Sequence, residues 1–299
     1  MVEFLVGVDG GGTATRALLA RADGSMIGRG EAGPSALGQG IAPAWSQVVL
    51  AVRRAFDSAR VTVPPWGDCA LAAGLSGVSN RPWRDAFVAR NPGFDPLVAE
   101  TDSFIMLLGA HGGKPGAIVA AGTGSMGEVL RPDGSRETVG GWGFPVGDEG
   151  SGAWLGLHAV RLAQAALDGR ANAGPLARHV WNMCGADRDA LQAWCDSARQ
   201  YAFAQLAPAV FECEPVDPAA AHLLGRAVAA LEAVALAIDP QGRLPLAICG
   251  SVGRRLAPRL SPAVRSRLVV AAGMPVSGAL RLAAQAARSA RADELSYVS

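Results

Sequence analysis

Residues 4–20 read FLVGVDGGGTATRALLA. An apolar run ends in Asp9, and Gly10, Gly11 and Gly12 follow before Thr13 and Thr15 lead into a second apolar run. Two buried strands at 4–8 and 15–20 account for the apolar ends. The centre is a loop of three successive glycines. Glycine admits positive φ and lets a ligand approach the backbone, so successive N–H groups can converge on an anion. A strand running into Gly10–Gly12 and Thr13 is suited to phosphate oxygens, and the Thr13 and Thr15 hydroxyls add donors. A carboxylate beside a phosphate is repulsive unless a cation lies between them, so Asp9 is the expected holder of Mg2+, partly through water. Taken alone, Asp9 also reads as a cap on the loop N–H groups.

The second half begins in the same way. Residues 117–121 form an apolar run, residues 122–125 read GTGS, and strands are expected at 127–131 and 136–140. Thr13 precedes Asp23-Gly24-Ser25 by the same ten residues that separate Thr123 from Asp133-Gly134-Ser135. A duplicated strand–loop–strand–turn–strand unit is the economical explanation. Each unit would carry one phosphate loop, and the two would grip one polyphosphate across an interdomain cleft. The Gly-rich segment 111–116 divides a first lobe, 1–115, from a second, 116–299, whose last helix is allowed to return to the first.

Between the first and second loops, the pattern predicts a strand at 26–29, a helix at 41–59, a strand at 69–75, a helix at 82–90 and a strand at 96–101. After residue 152 the chain turns helical, at 154–167, 175–184, 189–205 and 218–238. Strands at 244–249 and 267–271 and a helix at 277–290 complete it. Strands alternating with helices give an α/β class.

Composition excludes several functions. The chain has 299 residues, half of them apolar, and a formal net charge of +1. No polycationic surface calls for nucleic acid. No uninterrupted apolar run of about 18 residues calls for a membrane span. Lys114 is the only lysine and Pro115 follows it, so the G-x-x-x-x-G-K-[ST] loop is absent. No G-x-G-x-x-G opens the first helix, which disfavours a dinucleotide fold. The N-terminus enters a strand without a leader pattern, and Cys69, Cys184, Cys195, Cys213 and Cys249 form no C-x-x-C pair. The expectation is a cytoplasmic protein with free thiols.

VGVDGGGTATRALLARADG, residues 6–24, resembles the first phosphate loop of the actin-like ATPase and sugar kinase superfamily. AGTGS at 121–125 resembles its second phosphate loop, and CGSV at 249–252 its adenosine turn, carried by Gly250 and Ser251. VGGWGFPVGDEGSGAWLG, residues 139–156, is similar to the signature of the N-acetylglucosamine and glucosamine kinases. These belong to the BadF/BadG/BcrA/BcrD ATPase family, which also holds ATPase activators of CoA-ester reductases and dehydratases. The resemblance spans essentially the whole chain. It implies a two-lobed, ribonuclease H-like fold of duplicated mixed sheets, ATP with Mg2+, phosphorylation of a hexosamine 6-hydroxyl, and a homodimer formed through the second lobe.

Residue by residue, the resemblance implies that Asp102 is the base for the 6-hydroxyl. Without it, Asp102 reads as the N-cap of a helix starting at Ser103. Asp148 is implied as a sugar contact, with Glu149, Gly124, Ser125 and the walls Trp142 and Phe144 as further candidates. Asp148 and Glu149 also read as acidic complements to a helix dipole. One position departs from the pattern: Ala36 stands where the family has a sugar-contacting asparagine, with Ser35 as the substitute. The choice between glucosamine and N-acetylglucosamine therefore stays open. An iron–sulfur ATPase activator is the competing function, and its requirement is cysteines placed to hold a cluster. A sugar sensor without catalysis is disfavoured by the retention of Asp9, Asp102 and both loops.

Overall fold

A computed structural model describes residues 2–297, with side chains described through residue 292. The chain divides into two compact units. The first comprises residues 1–114 and 271–299, and the second residues 115–270.

The first unit is built on a mixed sheet of β1 (Phe4–Gly10), β2 (Thr15–Arg21), β3 (Met26–Ala32), β4 (Cys69–Leu75) and β5 (Leu97–Glu100), in the order β3-β2-β1-β4-β5. β1 and β2 are antiparallel, with Asp9 opposite Arg16 and Gly10 opposite Thr15. β4 runs parallel to β1, and β5 parallel to β4. β1 and β4 are buried over nearly their whole length, which explains their continuous apolar runs. Helix α1 (Ile41–Ala59) buries Trp45, Val48, Val52 and Phe56 on one face of the sheet, joined there by α2 (Arg81–Ala89). The other face takes α3 (Asp102–His111) and the C-terminal helix α12 (Pro275–Tyr297), whose Leu280, Ala284 and Ala287 pack against Leu5, Ala20 and Ala70.

The second unit repeats the plan with β6 (Gly116–Ala121), β7 (Ser125–Leu130), β8 (Arg136–Gly140) and β9 (Leu246–Cys249), in the order β8-β7-β6-β9. β6 is antiparallel to β7 and parallel to β9, as β1 is to β2 and β4. The repeated turns match in chemistry. The Asp23 carboxylate accepts from the Ser25 N–H at 2.8 Å, and that of Asp133 from the Ser135 N–H at 2.9 Å. Helices α4 (Gly152–Leu167), α5 (Pro175–Cys184), α6 (Arg188–Ser197), α7 (Gln200–Ala204), α8 (Ala207–Cys213) and α9 (Pro218–Ile238) build the larger core with the sheet. The short α10 (Ser251–Leu256) and α11 (Pro262–Arg265) follow β9. By length and composition α9 would cross a membrane, yet its Leu223, Leu224, Ala227, Leu231 and Ile238 are buried in this core.

Two expected elements differ. The helix expected over 189–205 is broken, because Ala198 is extended (φ −64°, ψ 138°) and the Arg199 guanidinium binds the Asp196, Ser197 and Ala198 carbonyls. The strand expected at 267–271 contracts to one bridge between Leu268 and Leu246. Arg267 turns instead into a buried ion pair with Asp239 at 2.6 Å.

Candidate active site

The first cluster lies at the carboxyl edge of the parallel strands. Asp9 is in register with Gly74, and Gly74 with Glu100. Two strand spacings put β1 and β5 about 10 Å apart there. Asp102 follows two residues beyond Glu100, in the first turn of α3.

Thr101 caps that helix, its hydroxyl accepting from the Phe104 N–H at 3.2 Å. The capping role considered for Asp102 therefore falls to its neighbour. The Asp102 carboxylate accepts from the adjacent Ser103 N–H, at 3.0 Å. Burial raises its pKa, partly offset by the backbone N–H groups of Ser103 and of Asp102 itself. Asp9 is pushed up to about 6 by burial, eased by the Arg16 guanidinium 3.9 Å away and raised again by the charge of Asp102. A carboxylate that is costly to ionise and that meets no N–H donor among the described residues is suited to a divalent cation that keeps most of its water. On this ground Asp9 fits Mg2+.

The loop after β1 is tightly supported. The Gly11 N–H donates to the Ala14 carbonyl at 3.1 Å, and the Gly11 carbonyl accepts from Ser35 and Ala36 at 3.0 and 3.1 Å. Gly10 is required by packing, because a Cβ there would lie 2.0 Å from the Ser35 hydroxyl. Among the described residues the N–H groups of Gly12 and Thr13 meet no acceptor, which leaves them for an anion. The Thr15 and Ser35 hydroxyls do not join them. Both residues are buried; Thr15 donates to the Gly33 carbonyl at 2.6 Å, and Ser35 lies 2.7 Å from the Thr15 hydroxyl. Both are expected as ligand contacts; the structure buries them and pairs their hydroxyls, which braces the loop. Sequence reasoning also passed over Gln39, whose amide donates to the Gly12 carbonyl at 3.3 Å.

The second cluster lies wholly in the second unit. The Gly122 N–H donates to the Gly124 carbonyl at 2.9 Å, and the first N–H groups of α4 clamp the loop: Gly152 donates to Gly122 at 2.8 Å and Ala153 to Thr123 at 3.1 Å. The N–H groups of Thr123 and Gly124 have no acceptor among the described residues. Gly250 has φ +81°, and a Cβ there would come within 2.2 Å of the Ala121 carbonyl, so the adenosine-like turn presses directly on the end of β6. A cavity of about 250 Å³ joins Thr123 and Gly152 to Ser251, Val252 and Arg255.

Asp148 is buried at φ +63°. Its carboxylate accepts from the Ser125 N–H at 3.2 Å and from the Gln200 amide at 2.6 Å. Burial raises its pKa most, the Ser125 N–H lowers it, Glu149 raises it and the Gln200 amide lowers it. Ser151 caps α4 through the Trp154 N–H, so Asp148 has no capping duty. The Ser125 hydroxyl donates to the Glu149 carbonyl at 2.7 Å, while the Glu149 side chain is exposed. Gln200 carries no sequence signal at all. The break before α7 brings it to Asp148. Phe144 turns inward against Phe203, and Trp142 is 85% exposed.

The thiols do not make a cluster site. Burial pushes Cys69 up to about 12 and Cys184 and Cys249 to about 11. No group of three potential metal ligands occurs among the described residues. Thiolate ligation of an iron–sulfur cluster needs the opposite environment.

Two glycine-lined loops at the carboxyl edges of duplicated sheets, each with acidic residues beside it, define an ATPase of the actin-like fold. The chain belongs to the BadF/BadG/BcrA/BcrD ATPase family, matched over residues 6–243. It is 32% identical over 285 residues to the glucosamine kinase GspK of Vibrio cholerae, covering 94% of this chain and 96% of that one. A solved Chromobacterium violaceum protein described as a candidate N-acetylglucosamine kinase is 48% identical, with a TM-score of 0.91 over 94% of this chain and 99% of its own. A ROK family glucokinase from Streptomyces griseus, solved with glucose and AMPPNP, shares the fold alone: 16% identity and a TM-score of 0.53, over 94% of this chain and 99% of that one.

Proposed function

We propose that the protein is an ATP-dependent amino-sugar kinase that phosphorylates the 6-hydroxyl of glucosamine or N-acetylglucosamine. The observation that carries this reading is the half-buried Asp102, free of capping duty, beside Asp9 and a loop with unpaired N–H groups. The N–H groups of Gly12, Thr13, Thr123 and Gly124 bind the β- and γ-phosphates, and the nucleoside enters the cavity at Ser251. Mg2+ held near Asp9 neutralises charge on the phosphates when bound. Asp102, made more basic by burial, accepts the proton of the attacking hydroxyl. Asp148 has carboxylate lone pairs beyond the two used by Ser125 and Gln200, and these accept from a ring hydroxyl.

The family's asparagine position offers no side-chain donor here. Ala36 has a methyl group, and its N–H is already given to Gly11. This favours an acceptor whose 2-substituent needs no donor from that loop. A homodimer and a cytoplasmic location complete the reading, supported by the family resemblance and by five free thiols whose pKa values burial raises. A coupled ADP-release assay over glucosamine, N-acetylglucosamine, N-acetylmannosamine and glucose tests it. Turnover with a 2-amino or 2-acetamido hexose well above that with glucose supports the proposal; no acceptor-dependent ADP release overturns it.

A further inference from the structure

A groove of about 250 Å³ separates the middle of α4 from the first turns of α9, with Leu162 and Leu223 at its base. His158 and Arg161 line it from α4, and His222 and Arg226 from α9. Among the described residues no carboxylate pairs with any of the four. The nearest acid along α9 is its buried cap Asp217, whose oxygens are taken by the N–H groups of Leu176 and Ala219.

The arrangement is built rather than incidental. Arg226 lies 5.0 Å over the Trp154 ring, and the Trp154 and His158 rings are 4.0 Å apart. The His158 Nδ1 faces the Trp154 carbonyl at 2.9 Å, which fixes it as the donor nitrogen. Its Nε2 is then the acceptor for Arg226, 3.2 Å away. An arginine that must donate to a neutral imidazole has no better acceptor, and this is what an anion would supply. Along α4, His158 is six residues from Gly152, or about 9 Å, so the groove is distinct from the loop at 122–125.

We propose that this groove binds a small phosphate-bearing anion, inorganic phosphate or a phosphate monoester, between Arg161 and Arg226 with the two histidines at its ends. Burial and the two guanidiniums hold the His158 pKa below its ordinary value. A bound dianion facing His158, Arg161, His222 and Arg226 would reverse that.

The test is NMR of the imidazole nitrogens of the full chain, titrated with inorganic phosphate and with glucose 6-phosphate at matched ionic strength set by KCl. Of the four histidines, His158 and His222 should shift saturably in the millimolar range, with His111 and His179 unmoved. The His158 pKa should rise measurably on saturation. Arg161→Gln, at an exposed side chain, should weaken binding about tenfold or more, and Arg161→Lys should retain most of it. Stronger binding of glucose 6-phosphate identifies a monoester site, and equal binding a phosphate site. Overturning results are shifts that do not saturate, shifts reproduced by KCl, or shifts unchanged in Arg161→Gln. Because the readout is binding at these rings, its failure leaves the kinase assay untouched.

Discussion

Replacing Asp9 by asparagine should stabilise the protein while abolishing its use of ATP. Asp9 is pushed from 3.8 to about 6, chiefly by burial, and its side chain is 18% exposed. Among the described residues its one close partner is Arg16 at 3.9 Å, and Arg16 is itself 55% exposed and shared with Glu31. Asparagine therefore keeps the shape and loses little. Because the folded value lies above the ordinary one, stability is fully present below about pH 4 and is lost as pH rises through about 6. A shift of about two units corresponds to roughly 3 kcal/mol. Asp9→Asn should thus match the native chain in thermal unfolding at pH 4. At pH 7.5, in EDTA and without nucleotide, it should unfold on the order of 5 °C higher. Mg2+ should raise the affinity of the native chain for ATP and do nothing for the variant. A variant equally or less stable than the native chain at pH 7.5 would refute the reasoning that Asp9 is a strained carboxylate kept for a cation.

The remaining predictions concern the proton, the braces and the turn. Asp102→Asn should lower kcat by at least about a hundredfold with ATP affinity retained, as measured by ADP release and calorimetry. On the roles proposed for Asp9 and Asp102, whose pKa values burial raises, kcat/KM should fall as pH drops through about 6, and a flat profile from pH 5 to 8 would count against those roles. Gln200→Ala frees one Asp148 oxygen and should raise the KM for the sugar more than that for ATP. Thr15→Val leaves the Gly33 carbonyl without its donor and should cost about 1–3 kcal/mol in urea unfolding. Gly250→Ala combines φ +81° with a 2.2 Å clash and should weaken ATP binding or prevent folding, in contrast to Gly122→Ala, where a Cβ meets nothing within 4 Å.

The architecture was largely legible because its signals are local. Apolar runs on either side of 10–14 and 122–124, together with the repeated Asp-Gly-Ser turns, mark both meanders. Helices such as α1 and α9 carry continuous apolar stripes. What stayed hidden depends on tertiary pairing. Thr15 and Ser35 look like free donors in a phosphate loop until the fold brings them together across twenty residues. The cap of α3 falls on Thr101 rather than Asp102 because a threonine immediately precedes the aspartate, and only the backbone geometry decides between them. Gln200 reaches Asp148 from fifty-two residues away through a helix break that no proline or glycine announces. The stretch 267–271 reads as a strand yet forms only the bridge at Leu268, because a run of valines and alanines says nothing about an arginine withdrawn into an ion pair.

The account rests on ATP being held by the backbone of both glycine loops while Asp102 meets the acceptor alcohol. A crystal structure with Mg2+, a non-hydrolysable ATP analogue and glucosamine measures this directly. The predicted result has β- and γ-phosphate oxygens within hydrogen-bond distance of the Gly12–Thr13 and Thr123–Gly124 N–H groups, and the sugar 6-hydroxyl within about 3 Å of the Asp102 carboxylate. Phosphates bonded to neither loop, or a 6-hydroxyl remote from Asp102, would contradict it.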